Sequence, residues 1–591
     1  MTLRQRKILA ALACLFILSL AVRFWYPISH PSNWLLRSAA FNQAINTRDW
    51  ASTYQYYHPG LVTMVIGGLS LRLYERFEEI IEPLFAIGAP PLVTEYGRNM
   101  AVGVWGISVV LSALILAIGW VVHRLADWKT GLAVGGLLAF APFYLSQSRV
   151  FHVDALVSTL MALSALLLLL YLRTARYRYL ILSGIVAGLS LLTKTPALFL
   201  IPFTGLALGC QAVLGVHAAW QGEPERRWQA AADAARRAVG ALLLWLLMAA
   251  LPFVLWPAMW VRPAWVLNEM YFNAWWHVVN PHKNPRFFAG QVYTPEAIPN
   301  RFFYVVSLAF NTSFVTLTFG LLSLLLYTVW RKRVRLPLPP LSYWLLISYV
   351  GFFILQMTIG EKQDTRYILP AHVMLEVVAA VGLAALARLV EQAVIESRKQ
   401  TWRFAPSLFL VLGVGLQAAA ALPYAPDYGV HRNHLLGGGR VAACWLELGA
   451  SQWEGIEHVA AYLDSHAAAA DVVGVEVMLT TSLDQYHVGR KALSSDETLN
   501  ADYYVFSHHY VQRGLDTSQA WKAVREGFQN SQPQFVVRFD GVDYYRVYKA
   551  EPSGSMATVT VERGGWSLVA VAWVWAAAQA LLLVWSLRMV R

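Results

Sequence analysis

Apolar runs of membrane-crossing length recur from one end of the chain to the other, and nothing else constrains its fold as strongly. A helix needs about 20 apolar residues to cross the hydrocarbon core of a bilayer. By that measure twelve spans are predicted near residues 8–26, 99–122, 130–147, 155–172, 179–193, 196–215, 238–257, 302–329, 341–359, 368–390, 405–423 and 565–588. The fifth is short, and Lys194 and Pro196 mark its junction with the sixth. Only 14% of the 591 residues are charged, against roughly a quarter in a soluble domain. The 24 Trp and 27 Tyr suit the bilayer interface. The pattern predicts an all-α polytopic membrane bundle.

A net charge of +12 would point to nucleic acid in a soluble chain. Here short basic segments between spans account for it, and no nucleic-acid partner is expected. The first run follows Arg4, Arg6 and Lys7, and no small-x-small cleavage site follows "LAVRFWYPIS". An uncleaved first helix with a cytoplasmic N-terminus is therefore expected. Threading the twelve spans alternately from there puts Arg124 and Lys129, Arg173 to Arg178, Arg226 to Arg237, "RKRVR" at 331–335, and Arg398 to Arg403 on the cytoplasmic side, as the positive-inside bias requires. Arg588 and Arg591 fall there too. The long connections share the other, extracytoplasmic face: residues 27–98, "SRVFHVDA" at 148–155, the Lys194 junction, 258–301, "GEKQDTRY" at 360–367, and 424–564.

This threading divides the chain into a transmembrane module at 1–423, a small external domain at 424–564 and a last transmembrane helix within 565–591. In the external domain "EGIEHVAAYLDSH" has helical periodicity. "DVVGVEVML" and "ADYYVFSHHYV" read as strands, and "QFVVRFDGVDYYRVYKA" as a hairpin around Asp540-Gly541. A small α/β domain is expected. Within 27–98, "NWLLRSAAFNQAI" is amphipathic and "LVTMVIGGLSLRLY" is too short to span, so both are expected to lie along the interface. Cys14, Cys210 and Cys444 are scattered and provide no metal or disulfide framework.

Ionisable groups at a membrane rim are functional candidates, because burying them without a partner is costly. Six clusters qualify: Arg48 and Asp49; His58; Arg149, His152 and Asp154; Lys194; His282, Lys283 and Arg286; and Lys362, Asp364 and Arg366. Any one alone reads more readily as a solvated helix end, Lys194 as a snorkelling lysine and His58 as part of a turn before Pro59-Gly60. Together they have a chemistry. Arg and Lys hold a phosphate or pyrophosphate, a carboxylate deprotonates a hydroxyl nucleophile, and apolar aromatic walls suit a lipid tail. The combination fits group transfer from a lipid phosphate carrier, and it leaves a lipid or solute transporter open.

Several segments occur in the order of one family: "RSAAFNQAINTRDWASTYQYYHPGLVTM", "SRVFHVDAL", "GIVAGLSLLTKTPAL", "NPRFFAGQVY", "RYILP" and "YGVHRNHLLGGGRVA" followed by "WEGIEHVAAYL". The chain resembles the bacterial phospholipid carrier-dependent glycosyltransferases of the GT-C class, which are similar to protein O-mannosyltransferases and lipid A aminoarabinose transferases. The resemblance implies an inverting transfer of a sugar, hexosyl or pentosyl, from a polyprenyl-phosphate donor at the extracytoplasmic face of the cell membrane. The acceptor class, whether protein, lipid or glycan, stays unassigned. Asp154 resembles the acidic residue of the second external loop, Lys194 the Lys of the "tKxPal" segment, His58 the His of "HPG", and Arg366 with Tyr367 the "RY" before a later helix. Arg366, Lys194 and Lys362 are expected at the donor phosphate, with Arg149, His58, His152 and Tyr367 shaping the site.

The first external loop departs from the family. Relatives carry Asp-Glu a few residues before a Trp and an Arg-Ser pair, and that acid is the expected general base. Here Ser29-His30-Pro31-Ser32-Asn33-Trp34 precedes Arg37-Ser38. His30 stands roughly in that place and can accept a proton at neutral pH, and Asp49 or Asp154 could substitute. The loss equally permits a degenerate relative that binds the lipid carrier without turning it over. "GVHRNHLLGGGRVA" also departs from "YNPLLGG", with Asn433 and His434 in place of Asn-Pro, and Trp453-Glu454-Gly455 keeps only part of "GWGEG". No cofactor is assigned. His58 and His152 could bind a divalent metal, on histidines without fixed spacing.

Overall fold

The computed structural model describes residues 3–24, 32–87, 94–221, 227–280, 284–297, 301–396, 404–449, 453–476, 479, 482–483, 486, 491–494, 501–515, 519–550, 558–564, 571–579 and 582. Among these, seven helices are long and apolar enough to cross a membrane: Glu95–Leu125, Val153–Thr174, Thr195–Trp220, Arg227–Leu255, Pro340–Ile359, Thr365–Ile395 and Ala405–Tyr424. The chain is a multi-pass membrane protein, and its described residues hold fewer such helices than the twelve expected. Two of the shortfalls are helix breaks with a local cause.

The run at 130–147 divides into helices Trp128–Phe140 and Pro142–Ser148, with Ala141 extended between them (φ −65°, ψ 113°). Pro142 explains the break, because a proline disfavours the helical conformation of the residue before it. The run at 302–329 becomes Phe303–Asn311 and Phe314–Thr328, bent by 113°. Ser313 is extended there and its side chain accepts from the Thr316 N–H, starting a new helix. Counted as one span, this pair makes eight. The run at 179–193 forms the 15-residue helix Tyr177–Leu191, short for a crossing. The first run forms helix Leu3–Phe24. Most of the last predicted span lies outside the described residues, apart from helix at 571–579.

Helices Val153–Thr174 and Thr365–Ile395 are the axis of the bundle, buried over 94% and 89% of their apolar stretch, against 22% for Arg227–Leu255. Opposite ends of these two helices carry different chemistry. At their C-terminal ends, Arg388 pairs with Asp127 and donates to the Leu336 carbonyl at 2.9 Å, while Lys129 meets Glu391 at 3.1 Å. Arg173, Arg331 and Lys332 line one cavity of about 570 Å³ at the same end. Of the basic connections predicted to share a face, those around Lys129, Arg173 and Arg331 to Arg335 lie at this end. At the N-terminal ends stand Asp154 and Arg366, separated from the basic end by a 22-residue helix, about 33 Å of rise and close to the thickness of a hydrocarbon core.

Helices Asn33–Thr47 and Leu61–Arg76, the segments expected along the interface, pack on each other and on Glu95–Leu125. Residues 286–293 form a hairpin of β1 (Arg286–Phe288) and β2 (Gln291–Tyr293). Beyond residue 424 the chain builds a six-stranded sheet in the order β4-β3-β5-β7-β6-β8. Its strands are β3 (Val472–Val475), β4 (Lys491–Ser494), β5 (Tyr503–Ser507), β6 (Phe535–Phe539), β7 (Val542–Lys549) and β8 (Val559–Arg563). β3 pairs in parallel with β4 and β5, and β6 with β8, while β7 runs antiparallel to β5 and β6. The predicted helix is Ile456–His466, and the predicted hairpin turns at Asp540 and Gly541, both at positive φ (49° and 74°), as a two-residue turn demands. The strand expected over "ADYYVFSHHYV" stops at Ser507, whose hydroxyl caps the short helix His508–Arg513.

Candidate functional site

The site grows from the turn between Ser148 and Val153. His152 is extended (φ −143°, ψ 165°) and precedes helix Val153–Thr174, which places Asp154 in its first turn, where a helix favours a negative charge. Phe151 anchors the turn. Its ring is fully buried against two glycines on neighbouring helices, and a Cβ on Gly67 would lie 2.3 Å from Phe151 Cζ, one on Gly103 3.0 Å from its Cδ2. Only side-chain-free positions admit the ring at this depth.

Asp154 is almost wholly buried and is surrounded by positive groups. Lys194 Nζ donates to its Oδ1 at 2.5 Å. The lysine comes from an extended residue (φ −158°, ψ 140°) where helix Tyr177–Leu191 gives way to Thr195-Pro196, so the predicted junction is what delivers the amine. His152 Nδ1 lies 3.1 Å from Asp154 Oδ2 and Arg366 Nε 3.9 Å from it, but Oδ2 accepts no well-aligned hydrogen bond. Burial lowers the pKa of His152 against the opposing pull of Asp154.

The charges continue outward. Asp364 Oδ2 lies 3.6 Å from Arg366 Nε and 3.5 Å from Arg286 Nη2. Arg286, at the start of β1, also meets Glu447 at 3.0 Å, and Glu447 meets Arg513 of helix His508–Arg513 at 3.5 Å. Lys362 stands among Arg366, Lys194 and Arg286; burial and these neighbours lower its pKa. Among the described residues five cations thus face three carboxylates, Asp154, Asp364 and Glu447. The surplus of two positive charges is what an anion would relieve. Tyr367 borders it, its ring 5.1 Å from Lys194 Nζ and 5.6 Å from Arg366 Cζ. Solvent reaches the cluster along Arg366 and His152, whose side chains are 31% and 25% exposed.

An aromatic wall closes the other side. His58 Nδ1 is 3.2 Å from Thr195 Oγ1, and the Gly60 and Leu61 amides donate to the Thr193 and Leu192 carbonyls at 3.1 and 2.8 Å. The "HPG" turn is therefore docked on the lysine segment. Gly60 takes φ 59°, and a Cβ there would fall 1.8 Å from the Trp34 ring. Trp34 meets His152 edge-on with centroids 6.2 Å apart, and Arg37 lies over both Trp34 (4.6 Å) and Tyr56 (3.8 Å).

Of the sequence candidates, Asp154, His152, Lys194, Lys362, Arg366 and Tyr367 converge, and His58 supports them from the neighbouring turn. Arg149 points away: its Nη1 donates to the Pro426 carbonyl at 2.6 Å and its guanidinium lies over Tyr428. Asp49 also stands apart. It is solvated and accepts from the Ser52 amide at 3.2 Å beside the 3-10 turn Ala51–Thr53, and the Ser52 hydroxyl and amide lower its pKa. His30, His282 and Lys283 lie outside the described residues. His58 and His152 do not converge with a third ligand; among the described residues the His, Cys, Asp and Glu groups close enough for a metal are Asp427, Glu457 and His458. Glu447 and Arg513 were missed, because their pairing depends on chain segments far apart in sequence.

No curated protein matches the chain. Among solved structures, ArnT from Cupriavidus metallidurans bound to undecaprenyl phosphate is 14% identical, with 93% of this chain and 98% of that chain covered and a TM-score of 0.42. The archaeal oligosaccharyltransferase AglB from Archaeoglobus fulgidus, in complex with an inhibitory peptide and a dolichol-phosphate, is 11% identical, with 86% and 70% covered and a TM-score of 0.44. Residues 92–217 match the family model described as dolichyl-phosphate-mannose-protein mannosyltransferase, so across the segment that carries His152, Asp154 and Lys194 the chain is similar to that family.

Proposed function

We propose that this chain is a membrane glycosyltransferase that moves a sugar from a polyprenyl-phosphate carrier to an acceptor on the extracytoplasmic face. The observation that carries the reading is the excess of cations around Asp154 at the N-terminal ends of the two axial helices. Lys362 and Arg366 would take the carrier phosphate at the membrane rim, with Tyr367 beside them. In an inverting transfer the acceptor oxygen attacks the anomeric carbon as the bond from that carbon to the phosphate oxygen breaks. The electron pair leaves with the carrier phosphate, where the cations stabilise it. The acceptor proton goes to Asp154 Oδ2, the carboxylate oxygen not engaged by Lys194.

A second reading has its own support: each carboxylate in the cluster is already ion-paired, and paired carboxylates are weak bases. A protein of that kind would bind the carrier without turnover. Purified protein in lipid nanodiscs, given polyprenyl-phosphate sugars and envelope extracts as acceptor, separates the two by release of free polyprenyl phosphate. Transfer that falls at least 100-fold in Asp154→Asn supports the enzyme. Carrier binding with no release supports the degenerate form, and full activity in Asp154→Asn removes the role given to that residue. Movement of intact carrier across vesicles would instead make it a transporter.

A further inference from the structure

Away from the Asp154 cluster, three potential metal ligands face one another where the chain enters the C-terminal sheet. Asp427 follows Pro426 and is 1% exposed; Glu457 is 3% exposed. Asp427 Oδ2 lies 3.7 Å from His458 Nε2, and His458 Nε2 lies 4.0 Å from Glu457 Oε1. Neighbouring positions on a helix point about 100° apart. Both Glu457 and His458 nonetheless reach Asp427, because it sits over the first turn of helix Ile456–His466 and its Oδ1 accepts the Gly455 amide at 3.0 Å.

Two of the three groups are incomplete. Glu457 Oε1 and His458 Nε2 are both buried atoms without a hydrogen-bond partner, a costly arrangement unless something else binds there. Two ligands on a tetrahedral zinc at about 2.1 Å are about 3.4 Å apart, so the two separations of 3.7 and 4.0 Å need to contract by about 0.3 and about 0.6 Å. One imidazole and two carboxylates are an N/O set suited to zinc or a similar first-row ion, and the two carboxylates match its charge. Arg563 Nη1, 3.4 Å from Asp427 Oδ2, lies on the same carboxylate and stays outside the set.

We infer that Asp427, Glu457 and His458 bind one divalent transition-metal ion, zinc or its like. Its role is mechanical. The loop that supplies Asp427 is held at Pro426 by Arg149, three residues before His152, so the ion ties the C-terminal domain to the turn that carries Asp154. This holds whether or not the chain is a transferase.

The test uses the full chain without a polyhistidine tag, stripped with chelator and dialysed against zinc. Elemental analysis should return one zinc per chain, and competition with a chromophoric chelator gives its affinity. Glu457→Gln and His458→Ala should each weaken binding at least tenfold and abolish the zinc-induced rise in melting temperature, while His217→Ala, at an exposed histidine on another helix, should change neither. Wild-type protein that holds no stoichiometric zinc overturns the inference whether or not the variants fold, and then a proton shared by the two carboxylates occupies the gap. A loss of less than tenfold in either variant overturns it as well.

Discussion

Lys194→Met is the most informative single change in this protein. Lys194 and Asp154 have side chains only 8% and 7% exposed, so the pair is not screened by solvent. Removing one partner of a buried pair costs about 3–5 kcal/mol, because the other charge stays buried. Here Asp154 keeps Arg366 at 3.9 Å in place of Lys194 at 2.5 Å. Coulomb attraction falls inversely with distance, so about two-fifths of the combined pull of the two cations remains and the middle of the range, about 4 kcal/mol, applies. Asp154→Asn should cost a similar amount by stranding Lys194 beside Arg366. The double variant removes both charges and should cost far less than the two singles together, with a coupling of about 2–3 kcal/mol. The assay is equilibrium unfolding in mixed detergent, run on the four proteins of the cycle, with transfer measured in parallel. Stability should return in the double variant and activity should not. Additive losses, with coupling below about 0.5 kcal/mol, would refute the view that this pair is the electrostatic centre of the site.

Three further outcomes follow from the same geometry. Lys362 has a lowered pKa, from burial and then from Arg366, Lys194 and Arg286. Its protonated form therefore costs stability, and it binds a phosphate only while protonated; carrier affinity should fall as pH rises through a point below that of an ordinary lysine, and Lys362→Met should remove that step in a pH titration of binding while raising the melting temperature at neutral pH. Gly60→Ala drives a methyl toward Trp34 at a left-handed position, which should cost about 1–3 kcal/mol in unfolding assays and lower activity with it. Glu447→Gln removes the buried carboxylate shared by Arg286 and Arg513 and should weaken carrier binding about tenfold and lower the melting temperature as well.

The parts of this fold readable from sequence are those governed by local rules. Hydropathy located the axial helices because transfer into hydrocarbon depends on composition alone. It did not register Ala141 or Ser313, where a proline ring and a capping hydroxyl break a helix inside an unbroken apolar run. Asp154, Lys194 and Arg366 could be grouped beforehand because alternate crossings bring such connections to one end. Alternation says nothing of direction, and so Arg149, three residues from His152, turns to Pro426 instead. Asp49 illustrates the other limit: an aspartate beside an arginine in a loop has the look of chemistry, yet its carboxylate is occupied with its own turn. Glu447 and Arg513 carried no signal at all, since only the folded sheet brings them to Arg286.

That last contact has a bearing on how the protein is made. Arg366 leans on Asp364, Asp364 on Arg286, and Arg286 on Glu447 and Arg513. A nascent chain whose axial helices are already in place still lacks the outer half of this brace until the domain after residue 424 has been translated and folded. This cation-rich end is thus completed by segments translated after the axial helices, and a product truncated before them would be left with its cations loosely held.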